Sequence, residues 1–280
     1  GKIEVVSKGS KDEHQRQVRK CIDYIYQGEI FQANLSRLCN FKINENISDI
    51  DIYKQLRCKN PSPFSALIRY LDSSIISSSP ERLLSINDNH LETRPIAGTR
   101  PRGRSGLLDI ELSNELINSD KEKAEHLMLV DLERNDISRV CKPGSVKVDE
   151  MMTIESYAHV HHIVSNISGK LKEDISPLDA IKAVFPGGTI TGCPKVRCME
   201  ILSELEKEGR GPYTGSIGYL THKGNIDFNI LIRTMLKEKQ NLYFRAGGGI
   251  VADSIPQSET METEAKANGM LKAVEMFSNE

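Results

Sequence analysis

The sequence lacks any apolar run of the roughly 18 residues that a membrane-spanning helix needs, and no signal-like apolar core opens the chain. It also lacks a basic excess: 37 Lys and Arg stand against 39 Asp and Glu, which gives a formal net charge of −2. Because no basic stripe is present to neutralise phosphates, nucleic-acid binding is not expected. These absences predict a cytoplasmic protein with neither a membrane nor a nucleic-acid partner.

Paired cysteines are also missing. The six cysteines lie far apart, without a Cys-x-x-Cys motif and without a histidine pair at zinc-site spacing. The sequence therefore predicts reduced, mostly buried thiols and neither a disulfide framework nor structural zinc. Cys193 lies in a Gly-Pro loop where a thiol could be nucleophilic, but no sequence neighbour is an obvious base for it.

What is present is the composition of an ordinary globular protein, with 38% hydrophobic and 27% charged residues and no low-complexity tract. A chain of 280 residues can bury a large core. We therefore expect a single domain over residues 1–280, without a linker or an internal repeat.

Apolar spacing predicts an α+β fold with antiparallel sheet. Helices are expected over 13–27, 119–140, 176–184, 195–206 and 258–277. Strands are expected over 31–37, 66–70, 74–78, 83–86, 216–221, 226–236 and 242–246. Because the strands cluster in hairpins and the helices stand between the clusters, a βαβ repeat is not expected.

Glu262 and Lys266 stand four residues apart on the last expected helix and so share one of its faces. Such a pair is often a solvated ion pair. It also fits an anion site, because Gly247, Gly248 and Gly249 precede it and expose backbone N–H groups. The residues alone leave both interpretations open.

Four motifs carry a resemblance. They are Ser-Pro-Glu-Arg at 79–82, Arg-Pro-Ile-Ala-Gly-Thr-Arg-Pro-Arg-Gly at 94–103, Phe-Pro-Gly-Gly-Thr-Ile-Thr-Gly-Cys-Pro-Lys at 185–195, and Glu-x-x-x-Lys at 262–266. Together they resemble the chorismate-binding domain of anthranilate synthase and aminodeoxychorismate synthase, over nearly the whole chain. The resemblance implies two large antiparallel sheets packed face to face with helices outside. Family members usually carry a further N-terminal segment, so a fragment or a short member is expected.

The resemblance implies a magnesium site and a chorismate site. Glu125, in Ala-Glu-His-Leu-Met, and Glu262 match the metal ligands, and Lys266 matches the residue that supports binding of the ring carboxylate. Magnesium prefers few protein carboxylates together with water and ligand oxygens, which suits two glutamates and a substrate carboxylate. The remaining positions that match substrate-binding residues are Ala97, Gly98, Thr189, Tyr213, Arg233, Gly247, Gly248 and Gly249.

Catalytic roles are implied in the same way. Glu81 would donate a proton to the departing ring 4-hydroxyl, a role that favours a pKa raised by partial burial; taken alone, it could equally be an ordinary turn glutamate. His162 matches a histidine near the ring, and strand alternation puts His159 and His161 on the opposite face. Thr99, like Thr189, resembles a hydroxyl donor to substrate oxygens, and Lys266 completes the catalytic set.

Two positions bear on which reaction is expected. Gln32 stands where water-using isochorismate and salicylate synthases have a lysine base, so ammonia is the expected nucleophile. Ala97 stands where many aminodeoxychorismate synthases have a lysine thought to direct ammonia to carbon 4, and its presence favours the anthranilate reaction. Four longer stretches look more like the aminodeoxychorismate branch. They begin at Phe185, Pro212, Asn229 and Gly247.

We therefore expect an aminase that makes 4-amino-4-deoxychorismate for para-aminobenzoate and folate synthesis. The anthranilate reaction is the alternative, and a non-catalytic anion-binding or scaffold partner is the alternative of another class. The sequence shows no Cys-His apparatus for glutamine hydrolysis, so ammonia is expected from a separate glutamine amidotransferase subunit.

Overall fold

Hairpin clusters alternate with helices along the chain. A computed structural model describes residues 3–157, 160–275 and 277. The helices are α1 (Lys11–Tyr26), α2 (Asp49–Lys59), α3 (Gly106–Asn118), α4 (Asp120–Ser138), α5 (Pro177–Val184), α6 (Lys195–Glu206) and α7 (Pro256–Glu275). The strands are β1 (Glu4–Ser7), β2 (Gln32–Lys42), β3 (Phe64–Tyr70), β4 (Ser73–Ser79), β5 (Arg82–Asn87), β6 (His90–Thr93), β7 (Ile96–Pro101), β8 (Lys147–Ser156), β9 (Val160–Lys170), β10 (Gly192–Cys193), β11 (Gly218–Leu220), β12 (Ile226–Asn229), β13 (Thr234–Glu238) and β14 (Asn241–Ile250).

Helices α1 to α5 all begin behind a serine. In each case the serine Oγ accepts the N–H of the third helical residue, which satisfies one of the backbone donors that a helix start leaves unpaired. The five capping residues are Ser10, Ser48, Ser105, Ser119 and Ser176. A local side-chain cap therefore stabilises the start of each of these five helices.

Two units divide the chain. Unit 1 takes its described residues from 1–80, 190–217 and 229–280. Its antiparallel sheet has the order β1-β2-β14-β13-β4-β3, and β10 pairs with β2. The longest ladder joins β2 to β14, from Lys42 opposite Asn241 to Ala33 opposite Ile250. On one face of this sheet, Phe41 and Phe244 stack 5.5 Å apart within a core that α2 and α7 complete.

Unit 2 consists of described residues from 81–189 and 218–228. Its antiparallel sheet has the order β11-β12-β5-β6-β9-β7, and β8 pairs with β9. Helix α4 contacts β7 and β9, and Leu129, Val130 and Ile137 lie buried on it. The apolar residues of α4 recur at helical spacing, which explains why one face of this helix is buried.

The α+β fold with two antiparallel sheets is confirmed. The helices expected over 13–27, 195–206 and 258–277 are present as α1, α6 and α7. The single domain over 1–280 stays a prediction. All six cysteines are free thiols, four of them buried. Within the described residues, no helix combines the length and the apolar character needed to cross a bilayer.

The strand expected over 226–236 is wrong as a continuous element. It is broken into β12 and β13, because the backbone of Leu231 pairs with the turn at Thr214 and Gly215 instead of continuing the ladder. The neighbours Ile230 and Leu231 are both buried, at 3% and 2% exposure, so the two-residue alternation of a strand does not hold here.

Candidate active site

The glycine-rich end of β14 is closely covered by side chains of unit 1. A Cβ at Gly247 would lie 2.5 Å from the Tyr213 hydroxyl and 2.8 Å from the Leu35 carbonyl oxygen. A Cβ at Gly249 would lie 2.6 Å from Gln32 Nε2. Position 247 requires glycine because the Leu35 carbonyl oxygen is backbone, whereas a methyl group at position 249 would have to displace the Gln32 side chain. Tyr213 and Gln32 therefore lie against the strand face shared by positions 247 and 249.

Helix α7 brings carboxylates to the other face of the same stretch. A Cβ at Gly248 would lie 3.6 Å from Glu262 Oε1 and 3.5 Å from Glu259 Oε2. Lys266 Nζ lies 2.7 Å from Glu262 Oε1 and donates to the Gly247 carbonyl oxygen at 3.1 Å. The Glu262 and Lys266 side chains are 51% and 46% exposed. The ion pair is thus attached to the glycine strand while both charged groups remain accessible.

Tyr213 is buried in unit 1, with 6% of its surface exposed. Its hydroxyl oxygen accepts a hydrogen bond from Asn34 Nδ2 at 3.3 Å. Burial raises the pKa of the Tyr213 phenol, so the hydroxyl keeps its proton at neutral pH. A phenol that accepts one hydrogen bond can still donate its own proton to an acceptor such as a carboxylate.

Arg233, which fell inside the single strand expected over 226–236, lies between β12 and β13 instead. Its φ of 50° is in the left-handed region, which is uncommon for a residue with a side chain. Arg233 Nη1 donates to Asn60 Oδ1 at 3.4 Å, and the Arg233 carbonyl oxygen accepts from the Ser78 N–H at 3.1 Å. The backbone at this position is therefore fixed by β4.

In unit 2, Glu81 is buried, with 5% of its surface exposed, and its role as a general acid stays a prediction. Thr189 Oγ1 donates to Glu81 Oε1 at 2.8 Å. Thr189 lies on a short 3-10 turn, Gly188–Ile190, whose Gly188 N–H donates to Glu133 Oε1 at 3.3 Å. Glu133 Oε2 accepts from Thr93 Oγ1 at 3.1 Å. Glu133, which is 4% exposed, thus helps to hold the turn that orients Glu81.

Sequence reasoning missed Glu133, although a signal was present. It stands three residues after Val130 and four before Ile137, on the buried face of α4. A carboxylate on an apolar helix face has to find polar partners inside the protein.

His162 and Thr99 are opposite each other in the β7–β9 ladder. His162 Nδ1 lies 3.0 Å from Thr99 Oγ1 and 3.2 Å from the Gly98 carbonyl oxygen. These two contacts hold the Nδ1 edge of the imidazole against β7 and so fix the orientation of the His162 ring. The ladder bulges between Ala97 and Thr99, where Gly98 has a φ of 69°. A Cβ at Gly98 would also lie 2.9 Å from Glu122 Oε2.

His161 makes different contacts. Its Nδ1 lies 2.7 Å from Ser156 Oγ and its Nε2 lies 3.0 Å from Asp109 Oδ1. The hydrogen bond from Arg102 is the largest of the contacts that hold the pKa of Asp109 well below its usual range. This arrangement fits a structural histidine. His159 lies outside the described residues.

Glu125 lies in the second turn of α4, with its side chain 28% exposed and Lys121 Nζ 3.8 Å from its Oε1. No group of three or more His, Cys, Asp or Glu that could hold a metal occurs in the described part of the chain. Glu125 in unit 2 and Glu262 in unit 1 are each partly exposed carboxylates, the type of ligand that a hard cation prefers. The magnesium role of both residues stays a prediction.

Known proteins resemble this chain over almost its whole length. Residues 2–272 match the family described as chorismate binding enzyme. Anthranilate synthase component 1 of Aquifex aeolicus is 47% identical over 267 residues, which cover 95% of this chain and 54% of that protein. Aminodeoxychorismate synthase component 1 of Bacillus subtilis is 48% identical over 271 residues, which cover 97% of this chain and 57% of that protein.

A solved structure is similar to this chain in both fold and sequence. Anthranilate synthase component I from Streptococcus pneumoniae has a TM-score of 0.87 and 38% identity, covering 96% of this chain and 59% of that one. The chain spans about half the length of the curated relatives it matches. Two relatives with differently named activities are almost equally similar to it, so the likeness extends to the family and does not separate its reactions. The chain belongs to the chorismate binding enzyme family.

Proposed function

We propose that this chain is the chorismate-aminating part of an aminodeoxychorismate synthase component I, using magnesium and ammonia to make 4-amino-4-deoxychorismate. The observation that carries the proposal is the accessible Glu262–Lys266 pair, which is hydrogen-bonded to the glycine strand at Gly247. An ordinary surface ion pair does not require glycines in the strand beneath it. An anion site does require them, because the anion must approach the backbone N–H groups of the strand closely.

The substrate carries two carboxylates, and unit 1 supplies donors for them. Lys266 Nζ would bind the ring carboxylate, and the Tyr213 hydroxyl would donate to the enolpyruvyl carboxylate, together with Arg233 and the Gly249 N–H. Glu262 and Glu125 would hold the magnesium ion. Bound magnesium would neutralise part of the charge of the substrate carboxylate.

Proton transfer would belong to Glu81. Departure of the 4-hydroxyl as water consumes one proton, and addition of ammonia releases one, so the amination is balanced overall. Glu81 is buried, and Thr189 Oγ1 fixes one of its carboxyl oxygens, which would aim the carboxyl group at the leaving hydroxyl. His162 Nε2 and the Thr99 hydroxyl would orient the ring.

Ala97 favours a second candidate, the anthranilate reaction. It precedes the Gly98 bulge and offers no amine that could block carbon 2 of the ring. In both candidates a glutamine amidotransferase subunit would supply ammonia. The names of the relatives support this, since each is called component 1 of its enzyme. The cytoplasmic location stays a prediction.

The deciding experiment is product identification. The purified chain is incubated with chorismate, magnesium and ammonium chloride, with and without added aminodeoxychorismate lyase, and the products are separated by chromatography. Para-aminobenzoate that appears only with the lyase supports the proposal. Fluorescent anthranilate without the lyase would establish the second candidate. Chorismate binding by calorimetry without any amine product would instead indicate a scaffold.

The metal assignment has its own test. Glu262→Gln removes the negative charge but keeps the size of the side chain, so magnesium-dependent turnover should be lost while the thermal unfolding midpoint stays close to that of the wild type. Glu264 lies on the same helix, and Glu264→Gln loses the ion pairs with Lys11 and Arg37 but should retain turnover. Unchanged magnesium dependence in Glu262→Gln would contradict the assignment.

A further inference from the structure

Arg210 covers the ring of Tyr213. Its guanidinium carbon lies 5.6 Å from the ring centroid, within cation–π range. The same group reaches three other parts of unit 1. Nη2 donates to the Asn34 carbonyl oxygen at 2.6 Å, Nη1 donates to the Ile190 carbonyl oxygen at 3.3 Å, and Nε and Nη2 donate to Glu206 at 2.9 Å and 2.7 Å. These four hydrogen bonds use all three nitrogens of the guanidinium, which the single nitrogen of a lysine could not replace.

The Glu206 carboxylate, which accepts hydrogen bonds from the Arg210 guanidinium, is itself deeply buried. The Glu206 side chain is 2% exposed and accepts from the Ser36 N–H at 2.9 Å and from Ser36 Oγ at 2.8 Å. Arg245 Nη1 lies 3.5 Å from it. A buried carboxylate with this many donors is held in one place, so it anchors the guanidinium rigidly.

Both anchors lie directly beside the glycine strand. Ser36 is opposite Gly247 in the β2–β14 ladder, and Asn34 is opposite Gly249. Asn34 binds Arg210 through its carbonyl oxygen and binds the Tyr213 hydroxyl through its side-chain amide. Arg210 therefore acts on Tyr213 by two routes, over the ring and through the amide that meets the hydroxyl.

We propose that Arg210 is a positioning residue that holds the Tyr213 hydroxyl against Gly247 for carboxylate binding. The proposal rests on the substrate role given to Tyr213 above. Arg210 itself need not touch the substrate. Without the Arg210 guanidinium, the weak 3.3 Å hydrogen bond from Asn34 Nδ2 would be left to fix the Tyr213 hydroxyl.

The first test is kinetic. Arg210→Lys keeps the positive charge but loses the guanidinium, so the KM for chorismate should rise about tenfold with kcat changed less than about threefold, as expected when binding is lost equally in the ground and transition states. Arg57→Lys is the matched control, since the Arg57 guanidinium also lies 5.6 Å from a tyrosine ring, that of Tyr53 on α2. Equal KM values in the Arg210→Lys variant and the wild type would overturn the proposal.

The second test needs no turnover, so it separates a failure of this inference from a failure of the proposed function. The chain has no tryptophan and eight tyrosines, so its near-ultraviolet absorption reports tyrosine environments. Arg210→Lys should change the tyrosine difference spectrum in the wild-type background but not in a Tyr213→Phe background. An identical change in both backgrounds would show that Arg210 acts elsewhere.

A further variant covers the case in which Arg210→Lys does not fold. Asn34→Ala removes the amide that meets the Tyr213 hydroxyl but leaves the bonds between Arg210 and Glu206 in place. It should give the same kind of spectral change and a smaller rise in KM. In combination with Tyr213→Phe it should add nothing, because the two residues act as one unit. Additive effects would contradict the coupling between Asn34 and Tyr213.

Discussion

A single methyl group is enough to test how the glycine strand shapes the site. In Gly247→Ala, the new Cβ would lie 2.8 Å from the Leu35 carbonyl oxygen, which is backbone and cannot swing away. We expect the free energy of unfolding to fall by about 1–3 kcal/mol, as for other overpacked positions. The KM for chorismate should rise because the Tyr213 hydroxyl is displaced. Urea unfolding and steady-state kinetics measure the two effects.

Gly269 provides the control for this substitution. It lies inside α7, and a Cβ there would meet nothing within 4 Å. Gly269→Ala should raise stability by up to about 1 kcal/mol, because alanine favours a helix more than glycine does. Its KM should not change. A rise in KM equal to that of Gly247→Ala would mean that the close contacts at β14 are not what sets binding.

At the scale of the helix, the capping of α4 tests whether Glu125 is a magnesium ligand. Ser119 caps α4 by accepting the Glu122 N–H, and Glu125 lies one turn further on. Ser119→Ala should cost about 1 kcal/mol of stability. Because fraying of this turn moves Glu125, the magnesium concentration for half-maximal turnover should rise.

Ser48 caps α2 with the same geometry, far along the chain from both proposed metal ligands. Ser48→Ala should therefore lose a similar amount of stability while its magnesium dependence stays as in the wild type. Thermal unfolding and magnesium titration of both variants provide the comparison. Equal magnesium requirements in the two variants would argue against Glu125 as a ligand.

Some elements could be predicted because their signals are local. Helix α6 was expected over 195–206 and has these bounds, and apolar residues at helical spacing marked α1. Helix α3 was missed because Leu107, Leu108 and Ile110 are all exposed, so no clean apolar stripe is present. Arg233 was expected inside a continuous strand over 226–236, because the local sequence does not reveal that this segment pairs with the turn at Gly215.

The candidate site likewise has contacts that could be predicted from the sequence and contacts that could not. The Glu262–Lys266 pair follows from helical spacing, and the structure adds the bond to Gly247 that spacing cannot show. The Thr189–Glu81 bond joins residues 108 positions apart, and only the resemblance brought both into view. The resemblance did not point to Arg210 or Glu206, because their importance lies in buried bonds to β2 that leave no local pattern in the sequence.

For the whole molecule, two buried histidines predict sensitivity to mild acid. Burial lowers the pKa of His14 and of His126 to about 4, with Arg37 adding to the effect at His14. The unfolded chain, with ordinary histidines near pKa 6.5, then binds more protons than the folded one between about pH 6.5 and pH 4. Stability is complete above this window and falls as the pH drops through it. Each histidine should contribute a loss of about 2 kcal/mol between pH 7 and pH 5.

Urea unfolding at the two pH values measures this loss. His14→Gln should show a smaller loss than the wild type, because one of the two groups no longer titrates. His90→Gln is the control, since the His90 side chain is 53% exposed, and it should keep the wild-type pH dependence. A wild-type unfolding free energy that is equal at pH 7 and pH 5 would contradict the prediction.

The division into two units affects how the chain folds during synthesis, because the ribosome releases the chain from its N-terminal end. Most of unit 2 is the continuous stretch 81–189, whereas the β2–β14 ladder of unit 1 joins residues near 42 to residues near 241. Strand β2 emerges early and has to wait for β14 while all of that stretch is synthesised. During this interval the ladder edge of β2 is unpaired, which is the condition under which nascent chains aggregate or engage chaperones. The continuous stretch of unit 2 is therefore available to fold before β14 is synthesised, and the glycine-rich end of β14, beside which the proposed donors to the substrate carboxylates lie, can pair with β2 only afterwards.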